Sequence, residues 1–389
     1  MPQLTRCLVC GDESVSALFG LDSYPAYLLP VPLAAAREVR RERIELARCA
    51  ACGHLQIGSF DKEVQRLIYE VYYNHYVVDS AELLIPHYRL PFERFLAKLA
   101  GMETVKKGRL LEIGCSSGQR IPALSALCRS YTGIDPSERI EAARKDNPDK
   151  AFIRGYFPDA LGDETFDAVV SQFNLEHIAD VRAFAENARR ALSDDGIFVV
   201  QVPDIGEFFR TMQPNFLAHE HLQYFTRRSL ANLLTSTGFV PIEWGEQGPS
   251  LIVAARKAAA KGTCAPATAE ERESAMRHEA LFIAKPGLPD RPVVFYGVGP
   301  LLHWLLSGRA VTAGDRVVDD NPSYEGLALP GSGIPVEKPS AGLFRDVPDV
   351  VLSLNQVYHP AVKKKLSAYG LKLNVLASEA GRWVRSELP

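Results

Sequence analysis

Residues 110–118 read Leu110-Leu111-Glu112-Ile113-Gly114-Cys115-Ser116-Ser117-Gly118, a short apolar run that stops at a loop with two glycines four positions apart. This pattern predicts a strand ending in a loop whose glycines let backbone pass close to a ligand. In open α/β folds that place is the C-terminal edge of the sheet, where nucleotides bind. The next apolar run ends Thr132-Gly133-Ile134-Asp135-Pro136. It sets a carboxylate where two charge-assisted hydrogen bonds can hold a ribose diol. The Gly-x-Gly-x-x-Gly spacing of a nicotinamide or flavin fold is absent at Gly114.

Outward from this stretch, apolar runs alternate with helical patterns: 151–156, 166–173 and 196–203, then a helix over 227–237 and runs at 241–245 and 251–256. Such alternation predicts a mostly parallel sheet with helices on both faces, so the fold class is α/β. Residues 256–275, rich in small and polar residues, read as a linker running into a helix. A second alternating block follows, with runs at 292–299, 315–320, 348–354 and 372–378. Upstream, residues 62–107 place Leu67, Ile68, Val71, Phe92, Phe95 and Leu99 at helical spacing, with Pro86 and Pro91 as breaks. The segments assigned are 1–62, a small module; 63–108, a helical connector; 109–256, the main α/β domain; and 257–389, a second α/β domain.

The 389 residues exceed one ordinary core, and two or three domains are expected. With 47% hydrophobic and 23% charged residues and a net charge of −3, nothing points to nucleic acid or a membrane surface. The first residues lack a secretory pattern and no run is long enough to span a bilayer, so a cytoplasmic location is expected.

Four of the seven cysteines fall in two knuckles, Cys7-Leu-Val-Cys10-Gly and Cys49-Ala-Ala-Cys52-Gly. Each tight turn can aim two thiolates at one ion. Four thiolates form a closed tetrahedral site with no position for water, which predicts a structural zinc rather than a catalytic one. A redox pair is the competing reading, and His54 is an alternative ligand. The first 60 residues would otherwise have only a small core, and a metal would staple it.

The acidic residue before Gly114-x-x-x-Gly118, the strand ending in Asp135, the run Phe166-Asp167-Ala-Val-Val-Ser171-Gln172-Phe173-Asn174-Leu175-Glu176-His177, and Leu192-Ser-Asp-Asp-Gly196 resemble, in order, the motifs of class I methyltransferases. The resemblance implies a Rossmann-like domain that binds S-adenosylmethionine through Glu112, Gly114, Gly118, Asp135, Gln172 and Asn174. From the residues alone, Glu112 could instead pair locally, and Glu176 with His177 could simply open the next helix.

Over nearly the whole chain the arrangement is similar to the zinc-containing C-methyltransferases that act on nucleotide-linked keto-deoxysugars in antibiotic biosynthesis. The knuckles, the segment His219-Glu220-His221-Leu-Gln-Tyr224-Phe225, and the C-terminal Asp319-Asp-Asn321-Pro322 with Leu329-Pro-Gly-Ser-Gly333 carry this likeness. It implies a C-terminal Rossmann-like domain that helps hold the nucleotide, with His221 as the base and His219 and Glu220 in support. A neutral imidazole can take the acidified proton beside a ketone, leaving an enolate to attack the sulfonium methyl. Where the family has tyrosine before His-Glu-His this chain has Ala218, so Tyr224 or another group would have to replace the phenol. O- or N-methylation of a sugar or another small metabolite is the alternative reaction. Two histidines at i, i+2 could also serve as a metal pair or be bonded within a core.

Overall fold

The computed structural model describes residues 4–59, 61–73, 86–210, 216–379 and 382–388. Its central sheet has seven strands, ordered Phe239–Trp244, Ser250–Lys257, Leu192–Pro203, Phe166–Gln172, Gly108–Ile113, Cys128–Asp135 and Ala151–Arg154. All run parallel except Ser250–Lys257, which opposes both neighbours. Gly108–Ile113 sits between the strand that follows it and Phe166–Gln172, so chain order reverses there and a crevice opens at the C-terminal strand ends.

Helices cover both faces, which explains why the inner strands are apolar runs rather than alternating ones. On one face, Val181–Ala191 buries Val181, Phe184, Ala185 and Ala188, a helical stripe. Its start is fixed by Asp180, whose side chain accepts the Ala183 amide at 2.9 Å. On the other face, helix Pro86–Ala100 buries Phe92, Phe95, Leu96 and Leu99 against Leu110, Val170, Val199 and Ala254. This helix, within the segment expected as a connector, packs as part of the central core. Pro86 opens it and Pro91 lies inside it, where proline removes only one amide donor and the buried aromatic face keeps the segment helical.

The first 60 residues do not form a small separate core. Strands Val15–Pro25, Arg41–Cys49 and Leu55–Ile57 make an antiparallel sheet whose fourth strand is Gln223–Tyr224, directly after His219–His221. Phe19, Ile44, Leu46 and Leu55 join Phe216, Tyr224, Phe282 and Trp304 in one buried cluster. Phe19 stacks on Phe282 at 3.8 Å between ring centroids.

The stretch after residue 257 is docked as well. Asn232 bonds both backbone groups of Ala265, and the Ala267 amide donates to Ala51. Helix Ala269–Ile283 then begins with a reciprocal cap between Thr268 and Glu271. The last sheet is ordered Val336–Glu337, Arg316–Val318, Val294–Tyr296, Asp349–Leu352, Leu373–Glu379 and Arg382–Leu388, parallel but for its final hairpin. Its first strand in sequence, Val294–Tyr296, also lies at a reversal of order, ahead of Gly297-Val298-Gly299. Among the described residues no helix is long and apolar enough to cross a membrane.

Candidate active site

At the central reversal, Gly114 and Gly118 adopt φ of 80° and 76°, and Ser116 φ of 47°, so the loop turns through conformations that favour glycine. Asp135 is tied to that loop. One of its oxygens accepts the Ser116 amide at 2.8 Å, and the other accepts the Ser137 amide at 2.8 Å and hydroxyl at 2.5 Å. A Cβ on Gly114 would press on Asn174 at 3.3 Å, and one on Gly118 would press on Ile121 and Ala143. Gly114, Gly118, Asp135 and Asn174 therefore gather at one strand edge.

Glu112 and Gln172 lie differently. Glu112 is fully buried, accepts the Tyr131 hydroxyl at 2.5 Å, and faces Arg120 at 3.3 Å, while Arg120 also donates to the Gly114 carbonyl at 3.2 Å. Burial raises the Glu112 pKa against the pull of Arg120. Glu112 thus braces the loop from beneath, the local pairing that the residues alone left open. Gln172 is buried and donates to the side chain of Gln201.

A cleft of about 430 Å³ lies between the central and C-terminal sheets. His219, Glu220 and His221 line one wall, and Gly299, Ser353 and Asn355 line the other. The His-Glu-His turn is held in register by the Leu222 amide, which donates to the Glu176 carbonyl at 2.7 Å, and by the Ile57 amide, which donates to the Leu222 carbonyl at 3.0 Å. Its side chains have distinct surroundings. The ring of His221 packs against that of His177, with centroids 5.0 Å apart, and burial lowers its pKa to about 3, with His177 adding to the effect. Glu220 accepts a hydrogen bond from Tyr73. His219 is buried with Nε2 3.4 Å from the Tyr24 carbonyl, and burial lowers its pKa to about 4.

Tyr224 also lines the cleft, but its hydroxyl accepts from the Ala218 amide at 3.3 Å and donates to the Ala218 carbonyl at 3.2 Å. That hydroxyl is occupied in closing the 218–224 turn. Tyr73 brings a phenol to the Glu220 carboxylate instead. Residues 74–85, which follow Tyr73, lie outside the described residues.

The structure also gives His177 a place that sequence reading weighed only as a helix start. With Leu175 and Glu176 it forms a 3₁₀ turn after the strand Phe166–Gln172. Its Nδ1 lies 3.0 Å from the Glu220 carbonyl, so Nδ1 carries the proton and Nε2 is left as an acceptor. Nε2 stands 4.0 Å from the Glu176 carboxylate. Glu176 is 2% exposed, one of its oxygens has no hydrogen-bond partner, and burial raises its pKa to about 7.

The four knuckle cysteines converge, with Sγ–Sγ separations of 3.6 Å for Cys7–Cys52 and for Cys10–Cys49. Thiolates about 2.3 Å from a tetrahedral ion stand about 3.8 Å apart, so the set fits such an ion. Amides of Cys10 and Cys52 point at the sulfurs of Cys7 and Cys49 at 3.4 and 3.5 Å, and Gly11 and Gly53 take positive φ. His54 is directed away from the cluster: its Nε2 bonds Gln223 at 2.8 Å. The knuckles pack on the central domain through Val9, whose carbonyl accepts from Arg182, and through Phe225 and Leu230.

Comparison with known proteins agrees with this architecture. A methyltransferase-domain family matches residues 86–243. The C-methyltransferase NovU of Streptomyces niveus is 25% identical over 330 residues, covering 75% of this chain and 77% of that protein. A ubiquinone biosynthesis O-methyltransferase of Rhodopseudomonas palustris is 32% identical over 114 residues, which span 28% of this chain and 44% of the relative. Among solved structures, Streptomyces venezuelae DesVI aligns over 47% of this chain and all of its own length, at 18% identity and a TM-score of 0.38. Residues 86–243 are a methyltransferase domain, and the chain is an S-adenosylmethionine-dependent methyltransferase with the Rossmann-like class I fold.

Proposed function

We propose that this enzyme methylates a carbon beside the ketone of a nucleotide-linked deoxysugar, with His221 as the base and a structural zinc on Cys7, Cys10, Cys49 and Cys52. The observation that carries this reading is the cleft, which places a neutral imidazole on the central domain opposite the glycine loop of a second Rossmann-like sheet. The match to a protein named as a C-methyltransferase, over three quarters of this chain, supports it.

S-adenosylmethionine, held at Gly114, Gly118, Asp135 and Asn174, would supply an electrophilic methyl on a sulfonium. The chain's own residues do the rest. His221 is uncharged at neutral pH because burial opposes its cationic form, so it is ready to accept a proton. Glu220, fixed by Tyr73, and the turn braced by Tyr224 and His219 hold that imidazole in place. Fixing the acceptor carbon in line with the methyl supplies much of the rate. Gly299, Ser353 and Asn355 face the part of the acceptor remote from reaction, where the nucleotide would bind.

Ala218 favours a second reading, methylation of a hydroxyl or amine, because no phenol stands at 218 and that of Tyr224 is taken up by backbone. The two are separated by incubating the enzyme in heavy water with a nucleoside-diphosphate 4-keto-6-deoxyhexose and no methyl donor. Carbon methylation predicts deuterium at the carbon beside the ketone, abolished by His221→Asn. No exchange, together with methyl transfer to a hydroxyl or amine, would refute the carbon reading.

A further inference from the structure

We infer that the proton removed by His221 comes to rest on the carboxylate of Glu176, passing by Nε2 of His177. The inference rests on the reading of His221 as the base and adds the group that makes that base effective. Its ground is a cluster in which one ligand-type atom each from Glu176, His177 and His221 lies within 4.8 Å of the others at the cleft wall.

An imidazole in this position is a poor final holder of a proton. Protonation would create a cation on a half-buried ring at the cleft, and its partial desolvation acts against that. Glu176 has the opposite electrostatics. It is a buried carboxylate with an unpartnered oxygen, and taking a proton removes its charge. A proton that ends on Glu176 removes a charge from the cluster, whereas one that ends on an imidazole adds one. The buried carboxylate favours that change, whereas a half-buried imidazole left holding the proton resists it.

The groups facing Glu176 fit this role. His177 and His221 stand nearest it, His221 lining the cleft, with Glu220 on the adjoining turn, Arg120 behind the glycine loop and Tyr69 on the segment Leu67–Tyr72. Burial raises the Glu176 pKa most; His177 and the backbone at Glu176 pull it down, Glu220 raises it and Arg120 lowers it least. The tautomer of His177 is set by the Glu220 carbonyl at Nδ1, so its free Nε2 can accept a proton and hand the same proton on. The spacings exceed a hydrogen bond and are those that one bridging water, or tightening around a bound acceptor, would span. The step balances: the acceptor C–H bond breaks and its electron pair stays on the acceptor as an enolate. The proton goes to a ring nitrogen of His221, then to Nε2 of His177, then to an oxygen of Glu176.

The test uses the full-length enzyme, its E176Q, E176D and H221N variants, and deuterium exchange into a nucleoside-diphosphate 4-keto-6-deoxyhexose without methyl donor, followed against pH. The wild type should lose exchange as pH falls through about 7, because a protonated Glu176 cannot receive the proton. E176Q should exchange at least about 100-fold more slowly and lose that acid limb, while E176D recovers part of the rate with a displaced limb. Carboxyl carbon NMR supplies a measurement without acceptor: the Glu176 resonance should titrate near neutrality and shift in H177N. An E176Q enzyme with the wild-type rate and pH profile overturns the inference, as does a Glu176 carboxyl that titrates in the ordinary range. Exchange that survives in H221N overturns the base reading itself, and this inference with it.

Discussion

Asp135→Asn should weaken binding of S-adenosylhomocysteine by at least about 100-fold while leaving the fold intact. The magnitude follows from what the carboxylate does. Its oxygens accept the Ser116 and Ser137 amides and the Ser137 hydroxyl, which fixes them at the mouth of the glycine loop with one of about four lone pairs free for a ribose hydroxyl and a second available where the Ser137 hydroxyl gives way. Two hydrogen bonds from ribose hydroxyls to a charged acceptor are worth about 1.5–3 kcal/mol each, so about 3–6 kcal/mol together, or about 10²–10⁴ in affinity. Asparagine keeps one oxygen and the volume but gives up the charge and one acceptor, which places the expected loss at the lower end. Titration calorimetry measures it, with circular dichroism confirming the fold. Ser137→Ala separates the two roles of Asp135, because it removes one tether and leaves the carboxylate in place. Its affinity should fall less than 10-fold. A D135N protein that binds within about 3-fold of wild type would refute the assignment, and D135N and S137A losing equal affinity would show that the carboxylate acts only through the loop.

The remaining predictions concern stability. Cys49→Ser, or removal of metal by a strong chelator, should cost several kcal/mol and expose the Val9, Phe225 and Leu230 contacts, seen as a fall in Tm larger than the change in cofactor affinity; a metal-free protein with unaltered Tm would contradict the structural site. His219 and His303 are buried with pKa values lowered to about 4, and their Nε2 atoms lie against the Tyr24 and Leu28 carbonyls. Because the folded values lie below the ordinary 6.5, their contribution is present above that pH and lost as pH falls toward 4, by about 3 kcal/mol each. Denaturant titrations between pH 7 and 4.5 should show this loss, and His303→Gln should reduce it. Glu176 has the opposite sign: its folded value, about 7, lies above the ordinary carboxylate range, so its contribution is full at low pH and lost as pH rises through 7. E176Q should therefore stabilise the protein at pH 8 by up to about 3 kcal/mol and do nothing at pH 4, even as it slows proton removal. Equal effects at both pH values would show that the folded carboxyl titrates in the ordinary carboxylate range.

The sequence made the central α/β unit legible because its cues are local: an apolar run, two glycines at fixed spacing, and an acidic residue at the next strand end. The cysteine knuckles were legible for the same reason. What could not be read is set by contacts between distant segments. His177 follows a strand as any helix-opening residue could. Bonds from the Leu222 amide to the Glu176 carbonyl and from His177 Nδ1 to the Glu220 carbonyl bring its turn against His221. Tyr224 looked like a free phenol because nothing local reveals that its hydroxyl closes on the backbone of Ala218. Likewise, Pro91 signals a break within the helix over 86–100, and the sheet face that overrides that signal comes from strands up to about 150 residues away. The N-terminal sheet could not be foreseen either, since one of its strands is supplied by residues 223–224.

The central claim is methyl transfer to carbon within the cleft between the two sheets. It is tested most directly by incubating the enzyme with S-adenosylmethionine carrying a ¹³C methyl and a uniformly ¹³C-labelled nucleoside-diphosphate 4-keto-6-deoxyhexose, and recording the product by NMR. The account predicts a labelled methyl with a one-bond coupling to the sugar carbon beside the ketone, absent in His221→Asn. A methyl that reaches the sugar without that coupling, attached through oxygen or nitrogen, would contradict it.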